Sequence, residues 1–217
     1  MKGLFVKDMR LLLQRKKFFL MIVIISTVLG FNTDGQFVIG YLTLICSLFV
    51  LSTISYDEYD NCYPFLMTLP AEREDYVKEK YLFGLILGGI AWMIGCIIYM
   101  VKEAFTNPSV DFIEEIPVML MYIPMFLLLM DLTIPLHLKY GSERGRMMTI
   151  GLVGGVIAVV LCIGIGLEYL NVRYDRLLSE IDSWTVAANV VVLFGIVMVV
   201  TLTSYSISTR IIQKKDY

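Results

Sequence analysis

The chain alternates long apolar runs with short charged clusters. Six runs stand out, covering residues 18–31, 37–55, 81–101, 116–136, 147–167 and 186–207. A helix needs ~20 apolar residues to cross the hydrocarbon of a bilayer. Five of the runs are close to that length. The first is short, and reaches across only with Lys16 and Lys17 snorkelling at one end and the uncharged Asn32 and Thr33 at the other. The pattern predicts an all-α polytopic membrane protein, with six transmembrane helices in a single domain spanning residues 1–217.

Ahead of the first run, Leu4, Phe5, Met9, Leu12 and Leu13 fall on one helical face, and Lys7, Arg10, Gln14 and Lys17 on the other. This predicts a basic amphipathic helix over 1–17, held in the membrane interface by apolar burial and by attraction to anionic lipid. It is either an anchor alone or also a docking element. The basic start followed by an apolar run is not a cleavable signal, because no small-x-small site follows near Phe31.

Lys and Arg fix the orientation. One set of connections holds Lys2, Lys7, Arg10, Arg15, Lys16 and Lys17, then Arg73, Lys78 and Lys80, then Lys139, Arg144 and Arg146, and finally Arg210, Lys214 and Lys215. The alternate set holds only Lys102, Arg173 and Arg176. The positive-inside rule then places both termini in the cytosol.

Composition agrees with this reading and narrows function. Hydrophobic residues make up 58% and charged residues 18% of the 217, and the mean hydropathy is +0.74. Soluble chains lie nearer ~45–50% and ~25%. With 18 basic against 20 acidic residues, no basic surplus exists for nucleic acid. Cys46, Cys62, Cys96 and Cys162 form no C-x-x-C pair, and His137 is the single histidine, so neither a metal site nor a disulfide framework is indicated. No phosphate-binding G-x-x-x-x-G-K-[ST] and no G-x-S-x-G occurs. Glu114-Glu115 resembles the double glutamate of prenyl-type proteases, but the Arg expected four positions on is Met119 and the histidines are missing. The chain is expected to have no catalytic residue and no cofactor of its own.

Three features outside or within the runs invite function. Between the second and third runs, Pro64 and Pro70 bracket Phe65-Leu66-Met67-Thr68-Leu69, with dense charge on both flanks. An exposed apolar stretch rimmed by charge marks a partner contact, or else packs on the ends of the spans. Beyond the fifth run, Leu170, Tyr174, Leu177, Leu178, Ile181 and Trp184 recur at helical spacing, predicting an amphipathic helix on the outer surface before the last span. In the fourth run, broken by Pro117, Pro124 and Pro135, Asp131 lies roughly 7–10 Å deep. It either lines a pathway or reaches the interface and serves the backbone gap beside Pro135. Gly84-x-x-x-Gly88 and Gly151-x-x-x-Gly155 are candidate packing seams.

Two motifs carry a family resemblance. Residues Leu69-Pro70-Ala71-Glu72-Arg73-Glu74-Asp75-Tyr76-Val77-Lys78-Glu79-Lys80-Tyr81 resemble the "LP-x-x-R-x-x-Y/I-V-x-x-K-Y" stretch of small bacterial ABC-2-type permeases. Ile134-Pro135-Leu136-His137-Leu138-Lys139-Tyr140-Gly141-Ser142-Glu143-Arg144-Gly145-Arg146 resembles their "lPl-x-x-K-y/f-G-x-e-k-x-R" stretch, and Lys7-Asp8 to Lys16-Lys17 matches their N-terminal pattern. The resemblance implies a bacterial plasma-membrane permease, paired with a second permease (the same or a sister chain). It further implies two copies of a separate ATP-binding subunit, which would hold ATP and Mg. Pro64, Phe65, Leu66, Met67, Leu69, Pro70 and Arg73 would form the coupling helix seated in that ATPase. Lys139, Tyr140, Gly141, Arg144 and Arg146 would make a second cytosolic contact. The chain most resembles exporter permeases for phenol-soluble modulins and relatives conferring lantibiotic or bacitracin immunity, which implies amphipathic peptides as substrate. Two other readings stay open: an ion-coupled carrier or channel using Asp131, and a membrane scaffold. No internal inverted repeat supports the carrier.

Overall fold

A computed structural model describes residues 2–32, 35–59, 73–106, 112–169 and 186–214. These form six helices and no strand: α1 (Lys2–Gln14), α2 (Lys16–Asn32), α3 (Gln36–Tyr59), α4 (Arg73–Thr106), α5 (Phe112–Tyr169) and α6 (Val186–Gln213). Within these residues, the stretches Gln36–Tyr59, Arg73–Thr106, Glu115–Gly155 and Asn189–Gln213 are long and apolar enough to cross a membrane. At 17 residues, α2 falls just short. Where the pattern predicts six spans, the described residues thus hold four long candidates; α2 is too short to count as one, and the runs 116–136 and 147–167 both fall within α5.

Between those two runs the chain folds back, at Gly141. Its backbone (φ 80°, ψ 174°) is a conformation open essentially to glycine alone. The helix does not simply bend there. A Cβ on Gly145 would lie 3.0 Å from the Cα of His137, whereas positions eight apart in a straight helix are about 12 Å apart. The chain has reversed, so 112–140 and 142–169 are two antiparallel arms.

The core forms around α3, which packs on α2, α4 and the first arm of α5, while α6 covers α4 and α5. Val50, Ile54, Val77, Phe83, Phe126, Ile134, Leu138 and Ile212 are among its most buried side chains. Helix backbones approach closely where glycine permits it. A Cβ on Gly95 would come within 2.9 Å of the Ile39 Cα, and one on Gly88 within 2.7 Å of the Phe126 ring. Gly84 meets Met130 and Val50, so the Gly84–Gly88 seam packs within the chain. Gly151 and Gly155 face open space.

All the basic segments meet at one end of the bundle. Arg15 donates to the Tyr56 hydroxyl, and the Glu58 carboxylate accepts the Ser142 amide at the fold-back. Arg73 donates to the carbonyls of Ile212 (3.3 Å) and Gln213 (2.8 Å) at the end of α6. The opposite end holds Gln36, which donates to Glu115 across 3.0 Å. The helices therefore run between an end where these basic residues gather and one that holds the Gln36–Glu115 contact.

Candidate functional site

The most highly charged buried place among the described residues lies at the basic end, between α1, α3 and α4. It is built by the spacing of one motif. Tyr76, Val77, Lys80 and Tyr81 stand at i, i+1, i+4 and i+5 of a helix, which puts all four on one face. That face turns inward, and each of the four is buried.

Lys80 is fully buried, with 0% exposure. Its Nζ is paired with the Asp8 carboxylate, lies 3.0 Å from Asp57 Oδ2 and donates to Thr53 Oγ1 across 3.1 Å. Tyr76 donates its hydroxyl to the same Asp57 oxygen across 3.0 Å, and its ring lies beneath the ammonium at 5.0 Å. Lys7 closes the cluster from α1, pairing with Asp57 and with Asp8 at 3.3 Å. Burial alone would raise the Asp8 carboxyl, but Lys80 and Lys7 beside it outweigh burial and hold it below the usual carboxylate range. Glu79, 3% exposed, has one carboxylate oxygen 3.5 Å from Lys80 Nζ and no hydrogen-bond partner among the described residues.

A lysine without solvent and without its anions is not stable as a cation. Here two cations meet three carboxylates drawn from three helices. The arrangement welds α1 and the start of α4 to the end of α3.

Tyr81 carries the next link. Its hydroxyl lies 2.6 Å from Ser204 Oγ and 3.1 Å from Ser208 Oγ on α6, and Ser204 in turn donates to the Asp131 carbonyl. Pro135 has no N–H to offer that carbonyl, four positions earlier in its own helix. A hydroxyl from α6 therefore fills a gap that the proline creates. The Asp131 side chain, 4% exposed, has Oδ2 2.7 Å from Thr201 Oγ1, while Oδ1 has no partner among the described residues. Asp131 thus sits in a hydroxyl-lined seam between α5 and α6.

Of the expected coupling residues, Pro64, Phe65, Leu66, Met67, Leu69 and Pro70 lie outside the described residues, as does the outer helix at 170–184. Arg73, at the first position of α4, is clamped on the end of α6, where Gln213 also donates to Glu74 across 3.0 Å. In the second motif Lys139 and Tyr140 are exposed beside each other, with the ammonium 5.0 Å from the ring. Arg144 and Arg146 are exposed past the fold-back that Gly141 permits.

Sequence reasoning missed Asp8, Asp57 and the burial of Lys80. On α1 the expected apolar face is interrupted, since Asp8 falls within it and is the most deeply buried residue of that helix, while Leu13, expected on the same face, is 58% exposed. The recoverable sign was a lysine at the inward position of the Tyr76-Val77 face, which implies an anion waiting for it.

The arrangement defines a helical protein with four helices long and apolar enough to cross a membrane, tied together at one end by buried polar contacts. A model of the ABC-2 family transporter proteins matches residues 3–213, nearly the whole chain, and the protein belongs to that family. It is accordingly a multi-pass membrane permease of an ABC transporter, working with an ATP-binding subunit. No curated protein and no solved structure matches it.

Proposed function

We propose that this chain is the membrane subunit of an ABC exporter for amphipathic peptides, set in a bacterial plasma membrane with both termini cytosolic. The observation that carries the reading is the junction after residue 72. The helix that emerges from the proposed coupling segment is tied at once to α6 through Arg73, to α3 through Tyr76, and to α1 through Lys80. A push delivered at Arg73 would thus reach three helices. The chain itself supplies no catalytic group; ATP and Mg belong to the partner ATPase, of which two copies serve a pair of permeases, identical or sister. The peptide substrate and outward direction rest on the resemblance of the two motifs. Six crossings accord with the fold-back at Gly141 and with the gathering of basic segments at one end.

Replacing Leu66 and Met67 by Asp tests the coupling assignment. Each large apolar side chain fully buried in a partner cleft contributes ~1.5–3 kcal/mol. The double variant should insert normally but lose co-purification with the ATPase, or hydrolyse ATP without moving a fluorescent amphipathic peptide in proteoliposomes. A variant that stays bound and coupled removes this loop from the mechanism. Cysteines at Asn107 and Glu143 test the topology, since an impermeant thiol reagent added outside should modify only the first.

A further inference from the structure

A groove of about 580 Å³ opens on the side of the bundle between α1, α4 and α6. Its walls are almost wholly apolar. Phe5 and Val6 form one side, Leu82 and Leu85 the floor, and Tyr205 the other side, with Lys78 at the basic end. Val6 also borders a second hollow along α1, which Arg10 lines. Lys78 and Arg10 are exposed and pair with no described carboxylate. Glu79 contributes to the wall, but its carboxylate oxygens are buried and turned toward Lys80, so it offers little negative charge to an occupant.

Polarity along this groove changes with depth. From Lys78 to Leu85 the helix rises about 10 Å, passing from an exposed cation to leucines that are 53% and 43% exposed. That order, charge at the surface and hydrocarbon beneath, is the order within a phospholipid. An amphipathic helix shows the same order only through its own width, and its long axis lies in the membrane plane, across a groove that runs along α4 from Lys78 to Leu85.

We infer that the groove binds one anionic phospholipid, with its phosphate held by Lys78 and Arg10 and an acyl chain along Leu82 and Leu85. The occupant makes α1 a wall of a lipid site as well as a surface anchor. The inference needs only the multi-pass membrane assignment, and stands or falls independently of the substrate transported.

Native mass spectrometry of the full chain, released from micelles containing equal phosphatidylglycerol and phosphatidylcholine, reads the occupancy directly. The wild type should retain one phosphatidylglycerol in preference to phosphatidylcholine. Lys78→Gln combined with Arg10→Gln should weaken phosphatidylglycerol binding about 25-fold, each charge contributing roughly fivefold. Lys16→Gln combined with Lys17→Gln, outside the groove, should leave it unchanged. Leu82→Trp, at an exposed position that tolerates size, should displace lipid of either headgroup. Equal retention of both lipids, or unaltered retention in the groove variants, overturns the proposal. So does displacement of the lipid by a model Leu/Lys amphipathic helix at lower concentration than by phosphatidylglycerol itself, which would assign the groove to peptide.

Discussion

Replacing Lys80 by Met isolates the contribution of the buried charge cluster. The substitution keeps most of the apolar stem and removes the ammonium, leaving Asp8, Asp57 and Glu79 buried with Lys7 as the one close cation among the described residues. Lys7 is itself partly exposed, at 31% of its side chain. Removing one partner of a buried ion pair costs about 3–5 kcal/mol, because the partner's charge stays desolvated and uncompensated. For a chain of this size each kcal/mol shifts Tm by roughly 2–4 °C, so the variant should melt about 6–20 °C below wild type in the same detergent. A second substitution separates charge from packing. With Asp8→Asn added, Lys7 balances Asp57 and Glu79 alone of the three carboxylates is left without its cation, so part of the lost Tm should return. Thermal unfolding followed by circular dichroism, with size-exclusion monodispersity as the check on folding, reads both. A Lys80→Met variant within about 2 °C of wild type would refute the reasoning. A double variant no better than the single would show that packing, not charge, carries the cluster.

Three further outcomes are expected. Gly141→Ala should destabilise by about 1–3 kcal/mol, because the backbone there has φ 80° and the added Cβ would meet the Glu58 carboxylate; the readout is Tm beside that of Gly151→Ala, which faces open space and should change little. Asp131→Asn should leave assembly and ATPase rate within about twofold, since the amide oxygen still accepts from Thr201; an abolished ATPase stimulation with intact assembly would instead restore the pathway role. Because Asp8 is held below its ordinary value of 3.8, its contribution is complete above about pH 4 and is lost as pH falls through the lowered value. Unfolding of wild type in acid should therefore steepen below that pH more than unfolding of Asp8→Asn, as measured by denaturant titration at stepped pH.

Much of the architecture was legible because bilayer-length apolar runs and basic connections each leave a one-dimensional trace. The runs from 37 and 81 appear as α3 and α4, and the fold-back between the runs ending at 136 and starting at 147 falls on the glycine of the second motif. Spacing alone puts Tyr76, Val77, Lys80 and Tyr81 on one face of a helix. It could not say which way that face turns. Lysines near a membrane boundary usually point to water, and the anions that reverse this for Lys80 lie 72 positions away at Asp8 and 23 away at Asp57. The role of Ser204 was hidden for the same reason. Pro135 announces an orphaned carbonyl, but only tertiary packing shows that α6 supplies the hydroxyl.

The long separation between Asp8 and Lys80 has a consequence for biogenesis. The aspartate leaves the ribosome 72 residues before the lysine that neutralises it, an interval on the order of 4–14 s at 5–20 residues per second. Until then Asp8 must stay hydrated, so α1 has to wait at the water boundary while α2 and α3 enter the lipid. Arrival of α4 discharges that constraint and draws α1 down onto the growing bundle. Ser204 and Ser208 come last, so Tyr81 and the Asp131 carbonyl remain open until translation is nearly complete. A chain stalled before α6 would carry both as unsatisfied polar groups in the membrane, a ready mark for quality-control proteolysis.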